Sequence, residues 1–390
     1  MYKNVRAPAA AGIALATAVA LLTACASGGT TGAATTPTSS KPASNVEQVD
    51  LTALVAAAQQ EGQLTVWDSS SSVKDVAKGF TAKYGIKVNA VKVSKPDQVS
   101  KLTNEAAGGT PSADVLMFAD DGSLGGQLLP QKLVTSWFPS DLVSKIPANS
   151  QNPPVAVWNP NVFFYNPTTY PGGCPVTNVW QLTGTDYKGR AIWGDPSQNP
   201  QLADFMTELQ LRDTDKLTTA YQQFADAAPE GNAGTAFITD LAKNAPIVAA
   251  DDDDVIAAVG AKGSNRIGFA AASSWYDAQD QGLDIAVCQG LQPWVGYASP
   301  KFPMLVTKAA HPNAAKLWIH YVMDDGGMTP VLDNGGFSPN PNTTPTADTT
   351  KIPGLAADHG DLFLFGLDTL DKDWTMRQDT QDLWADNLAK

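Results

Sequence analysis

Short apolar strand patterns alternate with amphipathic helix patterns over most of the chain after residue 45. LTALVAAAQQEG predicts a helix that ends at Gly62, and QLTVWD predicts the strand after it. SVKDVAKGFTAKYG predicts a second helix, which ends at Gly85, and PSADVLMFAD contains a buried strand. Helices of about 12 residues between strands are typical of βαβ units and a parallel sheet. The expected fold class is therefore α/β, and 390 residues with 43% hydrophobic side chains are enough for two lobes.

The first 25 residues have the pattern of an export signal. Lys3 and Arg6 precede an apolar run over about residues 9–22, which is shorter than a bilayer-spanning helix of roughly 20 residues. The run ends in Leu-Thr-Ala-Cys, which resembles a bacterial lipobox, and this resemblance implies cleavage before Cys25 and lipid attachment to its thiol. The alternative is a plain secretory signal in which Cys25 is incidental. Residues 25–45 are rich in Gly, Ser, Thr, Ala and Pro, so they predict a flexible tether.

Charge and metal-ligand content exclude several functions. The chain has 39 acidic and 26 basic residues and a formal charge of -13, so it offers no basic surface to a nucleic-acid backbone. Its three Cys and three His are scattered, so no zinc cluster is expected. The sequence predicts no cofactor and no metal site.

Several motifs occur in an order that resembles a known family. These are EGQLTVW, FTAKYGIKV, PSADVLMFAD, FFYNPTTY, GRAIWGDPS and PMLVTKAAHPNAAKLWIHYV. The chain resembles the extracellular solute-binding proteins of bacterial ABC importers, in the branch of ferric-ion, polyamine, thiamine, phosphonate and sugar-phosphate binders. The resemblance implies a two-lobe periplasmic-binding-protein fold of type II, in which each lobe is a mainly parallel sheet flanked by helices and crossover strands join the lobes.

The same resemblance implies the organisation and the partners of the chain. The expected parts are a signal peptide at 1–24, the tether at 25–45, lobe 1 at 46–156, lobe 2 at 157–296, a return to lobe 1 at 297–345, and a helical C-terminal segment at 346–390. The expected partners are a small-molecule ligand and the permease and ATPase subunits of an importer. A lipid-anchored monomer on the extracytoplasmic face of the membrane is expected.

Ligand-binding residues are expected in the loops that follow strands. In open α/β sheets a ligand lies beyond the carboxyl ends of the strands, where helix N-termini point N–H groups into the cleft. Five polar loops satisfy this rule. The candidate ligand-binding residues in or beside them are Trp67, Asp68, Ser69, Ser70, Asp120, Asp121, Trp158, Asp195, Ser197, Asp252, Asp253, Ser273, Ser274, Trp275, Tyr276 and Tyr297.

These loops combine two chemistries. Serine-rich helix starts suit a phosphate, phosphonate or carboxylate, whereas the run Asp251–Asp254 suits an ammonium group or hydroxyls. Together they favour a zwitterion or a polar organic molecule over a bare anion. Helix capping by the serines and acids, and burial of the aromatic residues in the core, remain the alternative interpretations.

The resemblance also raises the question of iron. Ferric-binding relatives use two adjacent tyrosines in the loop that corresponds to residues 273–276, where this chain has Ser-Ser-Trp-Tyr with the single phenol of Tyr276. Fe(III) prefers several anionic oxygens, so the missing tyrosine argues against direct iron binding. A ferric-binding role remains the alternative within the family.

Two other classes of function are weighed against binding. A hydrolase would need a nucleophile with its base, and the sequence has no G-x-S-x-G, H-E-x-x-H or Walker motif. A lipid-anchored adhesin would need no closed pocket. The chain is therefore not expected to be an enzyme.

Cys174 and Cys288 are two cysteines in an oxidising compartment, so a disulfide between them and two separate buried thiols are both open.

Overall fold

The structure is a computed structural model that describes residues 45–109, 111–324, 326–346, 352–356 and 359–389. The predicted signal peptide, Cys25 and all of the predicted tether except Asn45 lie outside these residues. Among the described helices, none combines the length and apolarity that a bilayer crossing requires.

The secondary structure alternates as the sequence predicts. The strands are β1 Val46–Glu47, β2 Gln63–Asp68, β3 Lys87–Lys92, β4 Val115–Phe118, β5 Val134–Thr135, β6 Phe138–Pro139, β7 Val157–Tyr165, β8 Ala191–Gly194, β9 Ile247–Ala249, β10 Ile267–Ala271, β11 Ala286–Val287, β12 Gly296–Val306 and β13 Leu362–Leu364. The α-helices are α1 Leu51–Glu61, α2 Val73–Tyr84, α3 Lys95–Gly108, α4 Asp121–Ser123, α5 Pro200–Leu211, α6 Thr214–Ala225, α7 Ala233–Lys243, α8 Asp252–Gly260, α9 Ser274–Asp280, α10 Pro312–Met323, α11 Thr329–Leu332 and α12 Leu370–Asn387. A π-helical turn, Leu124–Leu128, continues α4.

One continuous sheet carries both lobes, with the strand order β3-β2-β4-β12-β7-β10-β8-β9. Residues 302–305 of β12 pair antiparallel with β4, and residues 296–301 of the same strand pair antiparallel with β7. We call β2–β5 with the second half of β12 the first lobe, and β7–β11 and β13 with the first half of β12 the second lobe. Strands β2, β3 and β4 are mutually parallel, as are β10, β8 and β9. The α/β prediction is confirmed.

Capping residues set the limits of α1 and α3. The Asp50 side chain accepts a hydrogen bond from the Ala53 N–H at the start of α1, and Gly62 ends that helix with a φ of 71°. Ser94 caps α3 by accepting from the Asp97 N–H, and Gly109 ends α3 at a φ of 87°. These boundaries follow from Gly and Ser positions that are visible in the sequence.

Two apolar clusters form the core. One lies under α1, α2 and α10 of the first lobe, where the Phe80 and Trp318 rings are 5.2 Å apart. The other fills the second lobe and extends beneath β4, and in it the Trp193 and Phe269 rings stack at 4.5 Å. Because the second cluster also contains first-lobe residues such as Phe118, the lobes share a buried interface.

Helix α12 packs against both lobes. It contacts α4 and the π-helical turn of the first lobe, and α5 and α7 of the second. Arg377 on this helix donates from Nη2 to Asp120 Oδ1 at 2.6 Å and to Asp204 Oδ2 at 2.7 Å. A single guanidinium therefore bridges a first-lobe carboxylate and a second-lobe carboxylate.

The C-terminal segment contains a strand that the sequence did not predict. The expectation was of a largely helical stretch, but Leu362–Leu364 forms β13 before α12 begins. This strand pairs parallel with residues 296–298 of β12. The three-residue apolar pattern is too short to be told from a buried helical turn, and only the exposed edge of β12 makes it a strand.

Candidate functional site

The polar loops that follow the strands surround a cleft between the lobes. Its main cavity has a volume of about 940 Å³, and an adjoining cavity measures about 320 Å³. The N-termini of α2, α3, α5, α8 and α9 all contribute lining residues. Nine of the predicted ligand-binding residues line one or both cavities: Ser69, Ser70, Asp195, Ser197, Asp252, Asp253, Ser273, Ser274 and Tyr297.

The serine loop, residues 69–72 after β2, borders the adjoining cavity. Asp68 Oδ1 accepts the Ser70 N–H at 2.8 Å, and the Ser70 and Ser72 hydroxyls are 2.8 Å apart. Ser72 stands at the start of α2 but makes no side-chain cap there. Ser70 Oγ accepts the Ser72 N–H at 3.2 Å. The hydroxyls of the loop border the adjoining cavity, where they can donate to an oxyanion.

Lys95 is a cation of the cleft that the sequence did not predict. It begins α3, lines both cavities and donates from Nζ to Gln201 Oε1 at 2.8 Å. Gln201 in turn donates to Ser299 Oγ at 2.6 Å, so the contact joins the first lobe to the second. Burial lowers the pKa of Lys95, which means that its surroundings do not fully compensate the charge. A lysine after a capping serine is ordinary in a sequence, and only the fold brings it to the cleft.

Lys301 adds a second buried cation, from the crossover strand β12. Its Nζ lies 2.8 Å from Asp68 Oδ1, and both side chains are nearly fully buried. Asp68 was predicted to contact ligand, but the structure commits its carboxylate to Lys301 and to the Ser70 N–H. Its place in the site is to position the serine loop.

The acidic side of the cleft comes from the second lobe. Asp195 Oδ1 accepts the Ser197 N–H at 2.9 Å, and Asp251 caps α8 by accepting the Asp254 N–H at 3.0 Å. Asp252 lines both cavities, and its Oδ2 accepts the Ala271 N–H at 3.2 Å. Burial raises the pKa of Asp252, so a cation beside it would stabilise its charged form.

Most of the aromatic residues that were predicted to bind ligand lie outside the two cavities. Trp67 and Trp158 are buried core residues, and Trp275 packs edge-on against Tyr276 with ring centroids 5.2 Å apart. None of these four residues is among the cavity-lining residues of the described chain. The apolar surface of the main cavity comes instead from Phe269 and Tyr297, with Leu202 and Val255. Strand alternation turns Trp67 and Trp158 into the protein, and a loop pattern alone does not show this.

Asp120 and Asp121 are also placed away from the two cavities. Asp120 pairs with Arg377 and accepts from the Ser123 N–H at 2.9 Å, which makes it a helix cap and an ion-pair partner. Asp121 is fully buried beneath α12, where burial and the carboxylates of Asp204 and Asp120 raise its pKa far above the usual range. The loop after β4 coils into α4, and α12 covers it.

The cleft has carboxylates, but in the described part of the chain they are not grouped as the ligands of one metal ion. Within the described residues, no group of three or more His, Cys, Asp or Glu side chains is arranged to hold a metal. Among the tyrosines that the structure describes, Tyr297 alone lines the main cavity, and burial together with Asp252 raises its pKa well above the usual value. A phenolate is therefore disfavoured at this position.

The two remaining cysteines are bonded to each other. Cys174 and Cys288 form a disulfide across a sequence separation of 114 residues. Neither residue is among those that line the cleft cavities. The bond therefore belongs to the scaffold of the second lobe.

Comparison with known proteins gives one family and many similar folds. A model of the family described as bacterial extracellular solute-binding protein matches residues 75–357. No curated protein sequence matches the chain. Iron-bound HitA from Pseudomonas aeruginosa is similar in structure, with a TM-score of 0.64, 17% identity, and coverage of 83% of this chain and 99% of that one.

Two further solved structures show the same likeness. The ferric binding protein from Campylobacter jejuni has a TM-score of 0.62 and 15% identity, and the alignment covers 82% of this chain and 99% of that one. The periplasmic binding protein P5PA has a TM-score of 0.59 and 14% identity, with coverage of 84% and 100%. At these identities the likeness shows the fold, and the predicted two-lobe periplasmic-binding fold is confirmed.

Proposed function

The chain belongs to the family of bacterial extracellular solute-binding proteins, and from that premise we propose that it is the ligand-capturing subunit of an ABC importer. Its ligand is a small polar organic molecule, anionic or zwitterionic, that is held between the lobes. It delivers this ligand to a membrane permease driven by an ATPase. The protein acts as a monomer, held by a lipid on Cys25 at the extracytoplasmic face of the membrane, and has no catalytic step of its own.

The observation that carries the ligand class is the environment of Lys95. Its ammonium faces the cleft and donates to a neutral amide, Gln201, with no carboxylate of the described chain at ion-pair distance. The Ser69, Ser70 and Ser72 side chains border the same cavity. An ammonium with neighbouring hydroxyls is a donor set for phosphate, phosphonate or carboxylate oxygens.

Fe(III) is the alternative ligand. It is favoured by the iron-bound state of HitA, whose fold this chain shares. The cleft supplies carboxylates for such an ion but one tyrosine with a raised pKa, and it places Lys95 where a trivalent cation would be repelled. The donor set therefore supports an organic anion better than iron.

A thermal-shift comparison tests the proposal. We expect alkylphosphonates, phosphate esters or their amino derivatives to raise the melting temperature, because a ligand that binds only the native state stabilises it. Ferric citrate should leave it unchanged. Lys95→Gln should reduce the ligand-induced shift, whereas Lys101→Gln, an exposed position on the same helix, should not. A rise with ferric citrate and a visible charge-transfer band, with no response to any organic anion or zwitterion, would contradict the proposed ligand class.

A further inference from the structure

The charges that line the main cavity are divided between its two walls. The lysines Lys92 and Lys95 come from the first lobe. All the lining carboxylates come from the second lobe, and they are Asp195, Asp251, Asp252, Asp253 and Asp277. The cavity is therefore bipolar across the cleft, and the acidic side has the larger formal charge.

Among the described residues, the second-lobe wall has two half-buried carboxylates without a counterion, Asp195 and Asp252, and the first-lobe wall has one such cation, Lys95. Lys95 contacts the neutral Gln201, and burial lowers its pKa despite the more distant carboxylates of Asp120 and Asp121. Asp252 accepts the Ala271 N–H at 3.2 Å and the Ser274 hydroxyl at 3.5 Å, and no Lys or Arg of the described residues is paired with it. Both residues border the main cavity and the adjoining one.

A ligand with a single charge would compensate only one of these residues. An anion at Lys95 would leave the carboxylate of Asp252 uncompensated and would face the acidic wall. A cation at Asp252 would leave Lys95 without a partner. A desolvated charge that lacks a partner is costly, so the site favours a molecule that supplies both opposite charges at once.

We infer that the ligand is a zwitterion that binds in one direction, with its oxyanion at Lys95 and the serine loop and its ammonium at Asp252. This inference rests on the proposed function and narrows its ligand class. Phe269, Tyr297, Leu202 and Val255 also line the main cavity, and they offer apolar surface to the carbon skeleton that joins the two charged groups. Lys95 and Asp252 are thus the specificity-determining residues at its two ends.

Matched probes separate the two ends. Aminoalkylphosphonates of two to four carbons are titrated by calorimetry against the alkylphosphonates and alkylamines of the same lengths. The tightest zwitterion is expected to bind about 10- to 100-fold more tightly than either of its single-charge counterparts, which is the range for one charge-assisted hydrogen bond. This comparison uses the unaltered protein, so it does not depend on how any variant folds.

Two substitutions then assign the ends. Lys95→Gln should weaken the zwitterion and the alkylphosphonate alike, each by about 10-fold or more. Asp252→Asn keeps an oxygen acceptor for the Ala271 N–H and should weaken the zwitterion by a similar factor without weakening the alkylphosphonate. Lys101→Gln and Asp280→Asn, both at exposed positions outside the cavities, are the matched controls.

The possible failures are distinguishable. If an alkylphosphonate binds as tightly as its amino derivative, or if Asp252→Asn leaves zwitterion affinity intact, the zwitterion inference is wrong and the proposed organic-anion ligand stands. If every aminoalkylphosphonate fails to bind while an alkylphosphonate binds, the zwitterion inference is likewise wrong and an organic-anion ligand stands. If no organic probe binds and ferric citrate does, both the inference and the proposed ligand class are overturned.

Discussion

Lys301 Nζ lies 2.8 Å from Asp68 Oδ1 and 3.1 Å from Asp68 Oδ2, so the crossover strand β12 is salt-bridged to the last residue of β2. The same carboxylate accepts the Ser70 N–H, which places the serine loop at the cleft. The charge pair therefore links the conformation of a cleft loop to the strand that passes between the lobes.

Breaking this buried pair from one side should be costly. Lys301→Met leaves Asp68 buried without its cation, and we expect the free energy of unfolding to fall by about 3–5 kcal/mol. The double variant Asp68→Asn/Lys301→Met removes both charges and should recover much of that loss. Urea unfolding of the wild type, Lys301→Met, Asp68→Asn and the double variant measures the coupling between the two charges. A double variant no more stable than Lys301→Met would show that packing, and not charge, is responsible.

The buried carboxylates where α12 packs against α5 should make stability depend on pH. Burial and the neighbouring Glu208 raise the pKa of Asp373 far above its usual range, and burial raises the pKa of Asp204 to about 6. The folded protein binds these protons more tightly than the unfolded chain does, so their stabilising effect is present at low pH and is lost as the pH rises through the folded-state pKa values. Stability from this cluster therefore decreases from about pH 4 upwards.

Asp373→Asn tests this pH dependence, because the amide is neutral at every pH. The variant should gain stability over the wild type as the pH increases from 5 to 9, by at most about 1.4 kcal/mol per pH unit, the value for one proton. Asp379→Asn, exposed on the same helix, is the control and should show no such trend. Chemical denaturation at three pH values gives the free energy of unfolding of each protein. A difference between Asp373→Asn and wild type that does not change with pH would contradict the expectation.

The π-helical turn under α12 has no room for a side chain at Gly125. A Cβ built there would lie 2.5 Å from the backbone carbonyl carbon of Leu370, at the start of α12. Gly125→Ala should therefore force α12 away from the first lobe and cost about 1–3 kcal/mol of stability. Gly108→Ala is the matched substitution at a position with open space around it, and it should stay within about 1 kcal/mol of wild type. Equal effects of the two substitutions would argue against close packing at Gly125.

The Cys174–Cys288 bond should stabilise the second lobe without affecting affinity. Replacing both cysteines by serine is expected to lower the free energy of unfolding by about 2–5 kcal/mol, since the closed loop is long. Ligand affinity should stay the same because neither residue lines the cleft. Mass spectrometry of the wild type should find no alkylatable cysteine thiol in residues 45–390 until reduction. Two alkylated thiols in the denatured, unreduced protein would rule the bond out.

The proposed anchor has a direct biochemical test. Cys25→Ser removes the thiol to which a lipid would be attached, so the variant should lack the acyl mass and leave the membrane fraction. Fractionation with immunodetection measures this, and lysine substitution at a tether position such as Thr36 serves as a control that keeps Cys25. Membrane retention of Cys25→Ser would contradict lipid anchoring.

Local signals in the sequence account for the scaffold and for part of the site. Gly62 and Gly85 mark helix ends by backbone preference, and the Ser94 hydroxyl marks the start of α3 as a side-chain cap. These local signals do not depend on the rest of the fold. Loops that follow parallel strands meet at one edge for topological reasons, which is why the serine loop and the acids of α8 were identified. Such reasoning selects loops correctly but does not give the direction of each side chain.

The rest depends on contacts between distant parts of the chain. Lys95 lies in the cleft because α3 faces Gln201 of α5. Asp121 lies outside the cleft because α12 covers α4. The strands that carry Trp67 and Trp158 turn both rings inwards, whereas Phe269 turns towards the cavity. No local pattern distinguishes these outcomes, since each requires the position of an element far away in sequence.

Strand β12 lies between β4 and β7 in the sheet, yet it follows both by a long stretch of chain. While the polypeptide is being made, β4 and β7 therefore have an unpaired side that only residues 296–306 can cover. Neither lobe can reach its native hydrogen bonding before that strand is available, and open strand edges are sites of aggregation. A nascent chain of this protein consequently needs protection from aggregation until most of its length has been synthesised. A truncated product that ends before Gly296 would have two unpaired strand edges, on β4 and β7, in place of one continuous sheet.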